Sequence, residues 1–315
     1  MPVFIQNQNY FVPSTCYDLE TSAELFGLDV RTAKVYTKFY GLKNIPVASA
    51  SGLALSDMLE KSIYPLVDLV PREKISYLIH THTTPSIAKF FDSTVRRIGN
   101  KMGLKNAEAF AVTMNKCVST IKAMEILDVI LDDEEEKHAL IIAGDMVFNN
   151  AGYRIMPNIT VTADAAASVL VSNKSGHSRL IATSVNTYGK YARGVWMDLA
   201  DVSQFGSTFN HCMAVVIDEV CSKAHITSKQ IKIILPHNVN IQCWRSFASY
   251  YPYPLGNIYL KNIPRYAHCY NSDLLINLKS VLDEKLLLPG DCFVMAMVAV
   301  GASFGAALYQ YLGDW

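Results

Sequence analysis

Short apolar segments alternate with amphipathic stretches along the whole chain, and this alternation restricts the fold more than any other feature of the sequence. Apolar runs of about four to eight residues are typical of buried strands, and the longer segments between them have helical spacing. Strands that alternate with helices favour βαβ units and mostly parallel sheets. The sequence therefore predicts an α/β protein. The predicted strands are residues 2–10, 75–80, 109–114, 138–145, 231–237, 292–297 and 306–312, and residues 163–172 form a small-residue turn that leads into a further strand. The predicted helices are 52–68, 86–102, 117–131, 208–224, 241–250 and 274–286, and residues 22–40 contain a helix-like pattern.

Two strand-to-loop units occupy matching places in the first and second parts of the chain. One is Tyr77-Leu-Ile-His-Thr-His-Thr-Thr84, and the other is Ile233-Ile-Leu-Pro-His-Asn-Val-Asn240. Each joins a buried strand to a polar loop, and ligand groups in α/β folds collect at the carboxyl ends of strands. This faint repetition predicts two similar βαβ-rich halves, residues 1–172 and 173–315.

The composition excludes several classes of protein. The 315 residues carry a formal net charge of zero, without the basic stripe that nucleic-acid binding requires. The seven cysteines show no CxxC spacing, which argues for reduced thiols and against a disulfide framework or a zinc site. The N-terminus lacks the features of a secretory signal, and the longest apolar runs are shorter than a membrane span. We expect a cytoplasmic enzyme with no membrane and no nucleic-acid partner.

Cys117 stands where a predicted strand turns into a predicted helix at residues 117–131. The unpaired N–H groups and the positive dipole end of a helix favour a thiolate over a thiol. A thiolate is the nucleophilic form, so the position suits covalent catalysis. A buried structural cysteine is the commoner fate of an intracellular cysteine, and this stretch alone leaves both interpretations open.

Two histidines and one carboxylate are the other candidates for chemistry. His237 ends a predicted strand, and His268 lies just before a predicted helix, with Asp273 five residues later. A carboxylate there would accept a hydrogen bond from the imidazole and fix its tautomer. Each has a plainer interpretation, because a histidine after a strand is usually a satisfied polar residue and an aspartate often opens a helix. His80 and His82 are best interpreted as ordinary loop residues.

Several stretches, taken in order, resemble the ketoacyl-ACP synthase III family of the thiolase superfamily over nearly the whole chain. Each is weak alone, and the ordered set is specific. They are residues 109–117 for the nucleophile strand and turn, 139–145 for the following strand, 163–170 for the Gly-Asp-Gly-Ala segment, 235–240 for the Pro-His-Gln-Ala-Asn motif, and 289–290 with 301–308 for the C-terminal glycine turn. The resemblance implies a thiolase-like fold with five layers, αβαβα, and a homodimer.

The departures from the family pattern point to a side branch. The usual catalytic Asn stands in a Gly-Asn-Thr-Ser setting, where this chain has Ala267-His268-Cys-Tyr, followed by Asp273. This is similar to acyltransferases of specialised metabolism that carry a Cys-His-Asp set and acylate a hydroxyl or amine acceptor. The Trp and Arg that clamp the cofactor in the family have no clear match at residues 36–47. An acyl carrier protein is therefore favoured over free CoA as the acyl donor.

The resemblance implies a two-step exchange through a Cys117 acyl-enzyme. His268, oriented by Asp273, would act as general base. Backbone N–H groups of Cys117, Val300 and Gly301 would hold the developing oxyanion. His237 would donate to the second substrate or to the same oxyanion.

The remaining expectations concern substrates and alternatives. Asn240 and Phe209 are assigned to substrate binding. The expected substrates are an acyl thioester of acyl carrier protein or CoA and a small-molecule acceptor, with no permanently bound cofactor and no metal. His237 with His268 also resembles the Cys-His-His set of decarboxylating enzymes, so C–C condensation with a malonyl thioester is the alternative. A non-catalytic subunit of a heteromeric synthase is a third possibility, against which the presence of Cys117 argues.

Overall fold

The computed structural model describes residues 3–84, 92–131, 134–147 and 154–313. Its strands are β1 Phe4–Phe11, β2 Cys16–Asp18, β3 Asn44–Pro46, β4 Ile75–Thr81, β5 Glu108–Val112, β6 His138–Asp145, β7 Ile155–Met156, β8 Thr160–Val161, β9 Ala165–Ser172, β10 Ser178–Thr187, β11 Ile231–Pro236, β12 Cys292–Ala299 and β13 Ser303–Tyr311. Its helices are α1 Val30–Lys34, α2 Leu55–Ile63, α3 Thr94–Lys101, α4 Ser119–Ile130, α5 Leu199–Lys223, α6 Ile241–Tyr250, α7 Ile263–Tyr266 and α8 Asp273–Asp283.

Nine strands of the described ranges form one mixed sheet in the order β11-β12-β13-β10-β1-β9-β6-β4-β5. Strands from the first half of the chain fill one end, and strands from the second half fill the other. A short antiparallel pairing of β1 with β10, Phe4 opposite Arg179 and Ile5 opposite Ser178, joins the two ends.

The prediction of mostly parallel sheets is wrong. Parallel pairing occurs between β4 and β5, β4 and β6, and β11 and β12, whereas the other five neighbouring pairs of this sheet are antiparallel. One reason is the tight turn between β12 and β13, because a short turn can join only antiparallel neighbours. The other is β1, which lies between β9 and β10 and runs opposite to both.

The helices lie in three layers around the strands. Helices α2 and α3 pack on the first-half strands, α5 packs on β10, β12 and β13, and α4 and α8 contact strands of both halves. Since α4 and α8 contact strands of both ends of the nine-stranded sheet, these ends form two strand layers in the order helix, strand, helix, strand, helix, and the predicted α/β architecture is confirmed. The predicted boundary at residues 172 and 173 falls in the connection from β9 to β10, and the division into two domains stays a prediction.

Strands β6 and β9 lie at the centre of the first half. Every residue of both strands is buried. Helix α2 contacts both strands, and α4 contacts β6. Because helices cover them, the sequences of these strands are almost continuously apolar, not alternating.

Gly305 in β13 sets how closely α4 approaches the sheet. A Cβ at this position would lie 2.5 Å from Val118 Cγ1 and 3.2 Å from Ile121 Cδ1. Both distances are shorter than the 3.5–4.0 Å or so at which carbon atoms attract, so a side chain here would push α4 outward. Val118 follows Cys117 directly, and the glycine therefore fixes the depth of that cysteine.

Some elements differ from the sequence-based predictions. The helix-like pattern at residues 22–40 is interrupted at Gly27, which has a φ of +68°, and α1 begins only after Asp29 caps it. Helix α5 begins at Leu199, before the predicted residue 208. The predicted helix at 86–102 is observed as α3, and residues 86–91 lie outside the described ranges. None of the helices in the described ranges is long and apolar enough to cross a membrane.

Candidate active site

Cys117 lies in a 3₁₀ turn, Lys116–Val118, between β5 and α4. Lys116 has a φ of +54°, a left-handed conformation that side chains with a Cβ rarely adopt. The side chain of Asn271 holds this turn: its Nδ2 donates to Lys116 O at 3.0 Å, and its Oδ1 accepts from Thr120 N at 3.1 Å. A residue from the second half of the chain thus fixes the backbone that carries the cysteine.

His268 contacts the sulfur of Cys117 through one ring nitrogen and the carboxylate of Asp273 through the other. The distance from Cys117 Sγ to His268 Nε2 is 3.7 Å. The other ring nitrogen of His268, Nδ1, lies 2.6 Å from Asp273 Oδ2. All three side chains are buried, with Cys117 only 5% exposed. The structure therefore brings together three residues that the sequence placed on two separate segments.

Asp273 is held as an acceptor by three further donors. Its Oδ1 accepts from Cys269 N at 2.7 Å and from Asn238 Nδ2 at 3.3 Å, and its Oδ2 accepts from Asn238 N at 2.7 Å. Asp273 also opens α8, where the helix dipole favours a negative charge. These contacts compensate a buried carboxylate for the water that it has lost.

The pKa of His268 reflects its surroundings. Burial opposes protonation of the ring, but the charge of Asp273 and its hydrogen bond outweigh burial, with a smaller contribution from Cys117. Together they raise the pKa of His268 to about 10. At neutral pH the ring is an imidazolium, and a cation beside the sulfur stabilises a thiolate.

His237 lies beside His268 and is held quite differently. Its ring centroid is 6.3 Å from that of His268 and 5.1 Å from that of Trp244. Among the described residues, neither ring nitrogen of His237 has a hydrogen-bond partner. Burial, and then the charge of His268, lower the pKa of His237 well below its usual value. The ring is therefore neutral, with one N–H to offer to a ligand.

The segment that carries His268 has an unusual backbone. Ala267 has a φ of 52° and a ψ of −152°, and Tyr270 has a φ of 53°. His268 itself forms an isolated bridge with Thr162, and Ala163 N donates to His268 O at 2.9 Å. Contacts with the segment before β9 thus hold the imidazole in place despite the strained residues around it.

A nucleophile, a base and an orienting carboxylate in this order are the parts of a covalent-catalysis site. Cys117 follows β5 in the first half of the chain, whereas His268 and Asp273 come from the second half, so residues from both halves meet here. No group of three His, Cys, Asp or Glu side chains in the described ranges could hold a metal ion.

Comparisons with known proteins bear on this arrangement. Residues 221–311 match the family described as 3-oxoacyl-[acyl-carrier-protein] synthase III, C-terminal. The β-ketoacyl-[acyl-carrier-protein] synthase III of Aquifex aeolicus is 22% identical over 249 residues, which are 76% of this chain and 78% of that protein. The enzyme of the same name from Phocaeicola vulgatus is 23% identical over 295 residues, 86% of each chain.

Solved structures share the fold over the full length. The acyltransferase ChlB3 has a TM-score of 0.86 at 16% identity, covering 100% of this chain and 99% of its own. The Aquifex aeolicus synthase III has a TM-score of 0.82 at 18% identity, covering 98% and 100%. The predicted thiolase-like fold is therefore confirmed, and residues 221–311 match the C-terminal family of the ketoacyl synthase III enzymes. OleA of Xanthomonas campestris, with cerulenin bound, has a TM-score of 0.83 at 14% identity, covering 99% of each chain.

The structure also places the two residues that the sequence assigns to substrate binding. Phe209 packs its ring 6.1 Å from that of His237. Asn240 caps α6: its Oδ1 accepts from Cys243 N at 2.8 Å, and its Nδ2 donates to Ile159 O at 2.9 Å. Both ends of the Asn240 side chain are thus bonded within the protein. Its substrate-binding role, like that of Phe209, stays a prediction.

The predicted oxyanion groups stay a prediction as well. Val300 and Gly301 form the turn between β12 and β13, and Gly301 has a φ of 128°, which favours glycine. Strand β12 packs against the Cys117 turn. Two surface cavities of about 540 and 320 Å³ are lined by other parts of the chain, and Cys117 lines neither.

Sequence reasoning assigns no role to three polar residues that contact the candidate site. Asn238 holds Asp273, Asn271 holds the nucleophile turn, and Thr83 donates from Oγ1 to Cys117 Sγ at 3.4 Å. The sequence places Thr83 in the polar loop of the unit at residues 77–84 and assigns it no role. The interpretation of His80 as an ordinary loop residue is wrong, because His80 is fully buried within β4 and its Nε2 lies 3.1 Å from Gly144 O.

Proposed function

We propose that the protein is an acyltransferase that moves an acyl group from an acyl thioester, through a Cys117 acyl-enzyme, to the hydroxyl or amine of a small molecule. The observation that carries the proposal is the pair of contacts that His268 makes with Cys117 and Asp273. The carboxylate of Asp273 is hydrogen-bonded to Nδ1 of His268, whereas the sulfur of Cys117 faces Nε2. This leaves Nε2 of His268 free to exchange a proton with a group at the sulfur.

In the first step, the Cys117 thiolate attacks the carbonyl carbon of the donor thioester. The tetrahedral intermediate collapses, the bond from that carbon to the donor sulfur breaks, and the acyl group stays on Cys117. The leaving thiolate takes the Nε2 proton of His268 and departs as a thiol. His268 is then neutral.

In the second step, neutral His268 is the base. Its Nε2 removes the proton of the acceptor hydroxyl or amine as that heteroatom attacks the acyl-enzyme carbonyl. The carbon–sulfur bond breaks, an ester or amide leaves, and the resting pair of thiolate and imidazolium is restored. Acyl thioester and acceptor thus become product and free thiol.

Asp273 is what favours a heteroatom acceptor. A hydroxyl or amine must lose a proton when it is acylated, and the pairing with Asp273 stabilises the imidazolium that results. A decarboxylative condensation generates its nucleophile by loss of carbon dioxide and has less need of such a base. The acyltransferase ChlB3, whose fold this chain shares, is consistent with the same choice.

Decarboxylative condensation remains the second candidate, and one observation favours it. Neutral His237 has a ring N–H without a partner among the described residues. Such a donor suits the enolate oxygen that forms when a malonyl thioester loses carbon dioxide. The two reactions share the Cys117 acyl-enzyme and differ in the second step.

The proposal extends to substrates and assembly. We expect an acyl carrier protein thioester in preference to a CoA thioester, no permanent cofactor, a role in specialised metabolism in the cytoplasm, and a homodimer. The named relatives are β-ketoacyl-[acyl-carrier-protein] synthases III, a name that includes a carrier protein and supports a carrier-borne substrate.

A single-turnover experiment separates the two candidates. The acyl-enzyme is formed first. It is then mixed either with a panel of small alcohols and amines or with a malonyl thioester whose free carboxylate carbon is labelled, so that decarboxylation releases labelled carbon dioxide. We expect an ester or amide from the first mixture and no release of label from the second. Label released together with a β-keto product would overturn acyl transfer. His268→Ala is the control, and it should lose the acceptor reaction.

A further inference from the structure

We propose that the hydroxyl of Thr83 is a second hydrogen-bond donor to the Cys117 sulfur and a catalytic residue that stabilises the thiolate independently of His268. Its part in acyl transfer rests on the proposed function. Its effect on the sulfur is a separate property of the free protein and can be tested without any substrate.

The hydrogen bonds around Thr83 determine which way its proton points. Thr83 Oγ1 lies 3.4 Å from Cys117 Sγ and 3.0 Å from Asn271 Nδ2. An amide nitrogen only donates, so the Thr83 oxygen is the acceptor of that bond and its own proton remains for the sulfur.

The amide orientation of Asn271 is itself fixed by neighbours on both sides. Its Nδ2 also donates to Lys116 O at 3.0 Å, while its Oδ1 accepts from Thr120 N at 3.1 Å. Exchanging the two amide atoms would set a nitrogen against an N–H and an oxygen against a carbonyl. The direction of the chain from Asn271 through Thr83 to Cys117 is therefore determined.

The backbone at Thr83 is held in place as well. Thr83 N donates to Asp145 Oδ1 at 2.7 Å, and Thr84 N donates to the same oxygen at 2.8 Å. Asp145 ends β6 and is 1% exposed. The hydroxyl is thus positioned by a buried carboxylate at the end of a central strand, and little ordering is needed when the sulfur becomes charged.

The sulfur carries negative charge twice in the proposed reaction. It is a thiolate before it attacks the donor, and it is the leaving group when the acceptor displaces it. In the second event His268 is engaged with the acceptor proton, so a donor whose own charge never changes is useful. A hydrogen bond to an ionised group is roughly twice as strong as one between neutral groups.

Among the described residues, the titratable groups that interact with this sulfur or with Thr83 include His268, Tyr270 and Asp145, with Asp273 bonded to His268. His268 contacts the sulfur through Nε2, a contact that involves neither Thr83 nor Asn271. Replacing the Thr83 hydroxyl by a methyl group leaves all four groups in the protein. A change in the titration of Cys117 would then report the lost hydrogen bond.

The test is the rate at which iodoacetamide alkylates Cys117 as a function of pH, followed by the mass of the peptide that contains it. In Thr83→Val, we expect the pH midpoint to rise by about one unit, because the hydrogen bond that stabilises the ionised sulfur is lost. Thr83→Ser should restore the midpoint to within a few tenths of a unit. Single-turnover acylation and acceptor transfer should both slow about tenfold in Thr83→Val and recover in Thr83→Ser.

Thr84→Val is the matched control, since it removes a neighbouring hydroxyl that donates to Asp145 and not to the sulfur. An unchanged midpoint in Thr83→Val, or an equal shift in Thr84→Val, would overturn the proposal. If Thr83→Val does not fold, Thr83→Ala compared with Thr83→Ser gives the same contrast. A shifted midpoint in a protein that accepts no acyl group would contradict the proposed function alone.

Discussion

Two imidazoles lie side by side in the centre of this protein and differ in almost everything but burial. His268 is bonded to a carboxylate through one nitrogen and faces a sulfur with the other. His237 is surrounded by aromatic rings, and both of its nitrogens are unpartnered among the described residues. The pKa of His268 is raised to about 10, whereas the pKa of His237 is lowered well below its usual value.

The comparison shows that burial alone does not decide the charge of a histidine. Burial opposes protonation of both rings, and a single carboxylate, Asp273, reverses the outcome for one of them. Their backbones differ too: His237 follows the regular strand β11, whereas His268 lies between two residues with positive φ. One ring suits proton transfer, and the other suits donation of a fixed hydrogen bond.

The largest expected effect comes from removing that carboxylate. Asp273→Asn should make His268 resemble His237, because the charge that supports its protonation is lost. We expect acyl transfer to slow by about three to four orders of magnitude, as the corresponding change does in a serine protease triad. The measurement is the single-turnover rate as a function of pH.

Asn277→Ala is a useful control for Asp273→Asn. Asn277 Nδ2 donates to Asn238 Oδ1 at 2.9 Å, and Asn238 in turn bonds to Asp273. The substitution therefore perturbs the same hydrogen-bond network without removing a direct contact of Asp273. Its rate should fall far less. A rate in Asp273→Asn within tenfold of the unmodified protein would show that the contrast between the two imidazoles has no catalytic meaning.

A smaller effect is expected on stability as a function of pH. The folded-state pKa of His268 is raised from 6.5 to about 10, so its contribution to stability is fully present below pH 6.5 and is lost as the pH rises towards 10. His237 has a lowered folded-state pKa, so its presence destabilises the fold as the pH falls below 6.5. The free energy of unfolding should therefore decline on both sides, and urea titrations at a series of pH values measure it.

Asp273→Asn again supplies the contrast for this experiment. The decline between pH 6.5 and pH 10 should become shallower in the variant, while the acid-side decline should remain. If the stability of both proteins declined equally steeply with rising pH, Asp273 would not be what keeps His268 protonated.

The smallest effect concerns the strained backbone beside His268. Ala267 has a φ of 52° and a ψ of −152°, a region that only glycine adopts readily. Ala267→Gly should therefore stabilise the protein by about 1 kcal/mol and leave the acyl-transfer rate within about twofold. Thermal unfolding measures the change. Ala111→Gly, at an exposed position of the regular strand β5, should instead destabilise by about 0.5–1 kcal/mol.

The sequence was sufficient for features that are local in the chain. Helix α6 was predicted at its observed bounds, because Asn240 is a strong N-cap before an amphipathic run. Strand β6 was predicted for the same kind of reason, as a continuous apolar run. Cys117, His268 and Asp273, whose side chains lie together in the structure, were singled out through motifs in which residue type and order are informative. Their catalytic roles stay a prediction.

Features that depend on remote partners were missed. Strand β10 was not predicted, because its partners β1 and β13 are far away in the chain and its own alternation is weak. Thr83 and Asn271 are 188 positions apart, and nothing in either local sequence indicates that they share a hydrogen bond. Antiparallel pairing was missed because the alternation of strands and helices favours parallel pairing and does not reveal remote pairs such as β1 with β9 or β10 with β13.

The most direct test of the central claim is the intact mass of the protein after incubation with an acyl thioester and no acceptor. The proposed site predicts a gain equal to one acyl group, located on the Cys117 peptide, absent in Cys117→Ala and formed much more slowly in Asp273→Asn. No mass gain with any acyl thioester of carrier protein or CoA, or a gain that persists in Cys117→Ala, would contradict it.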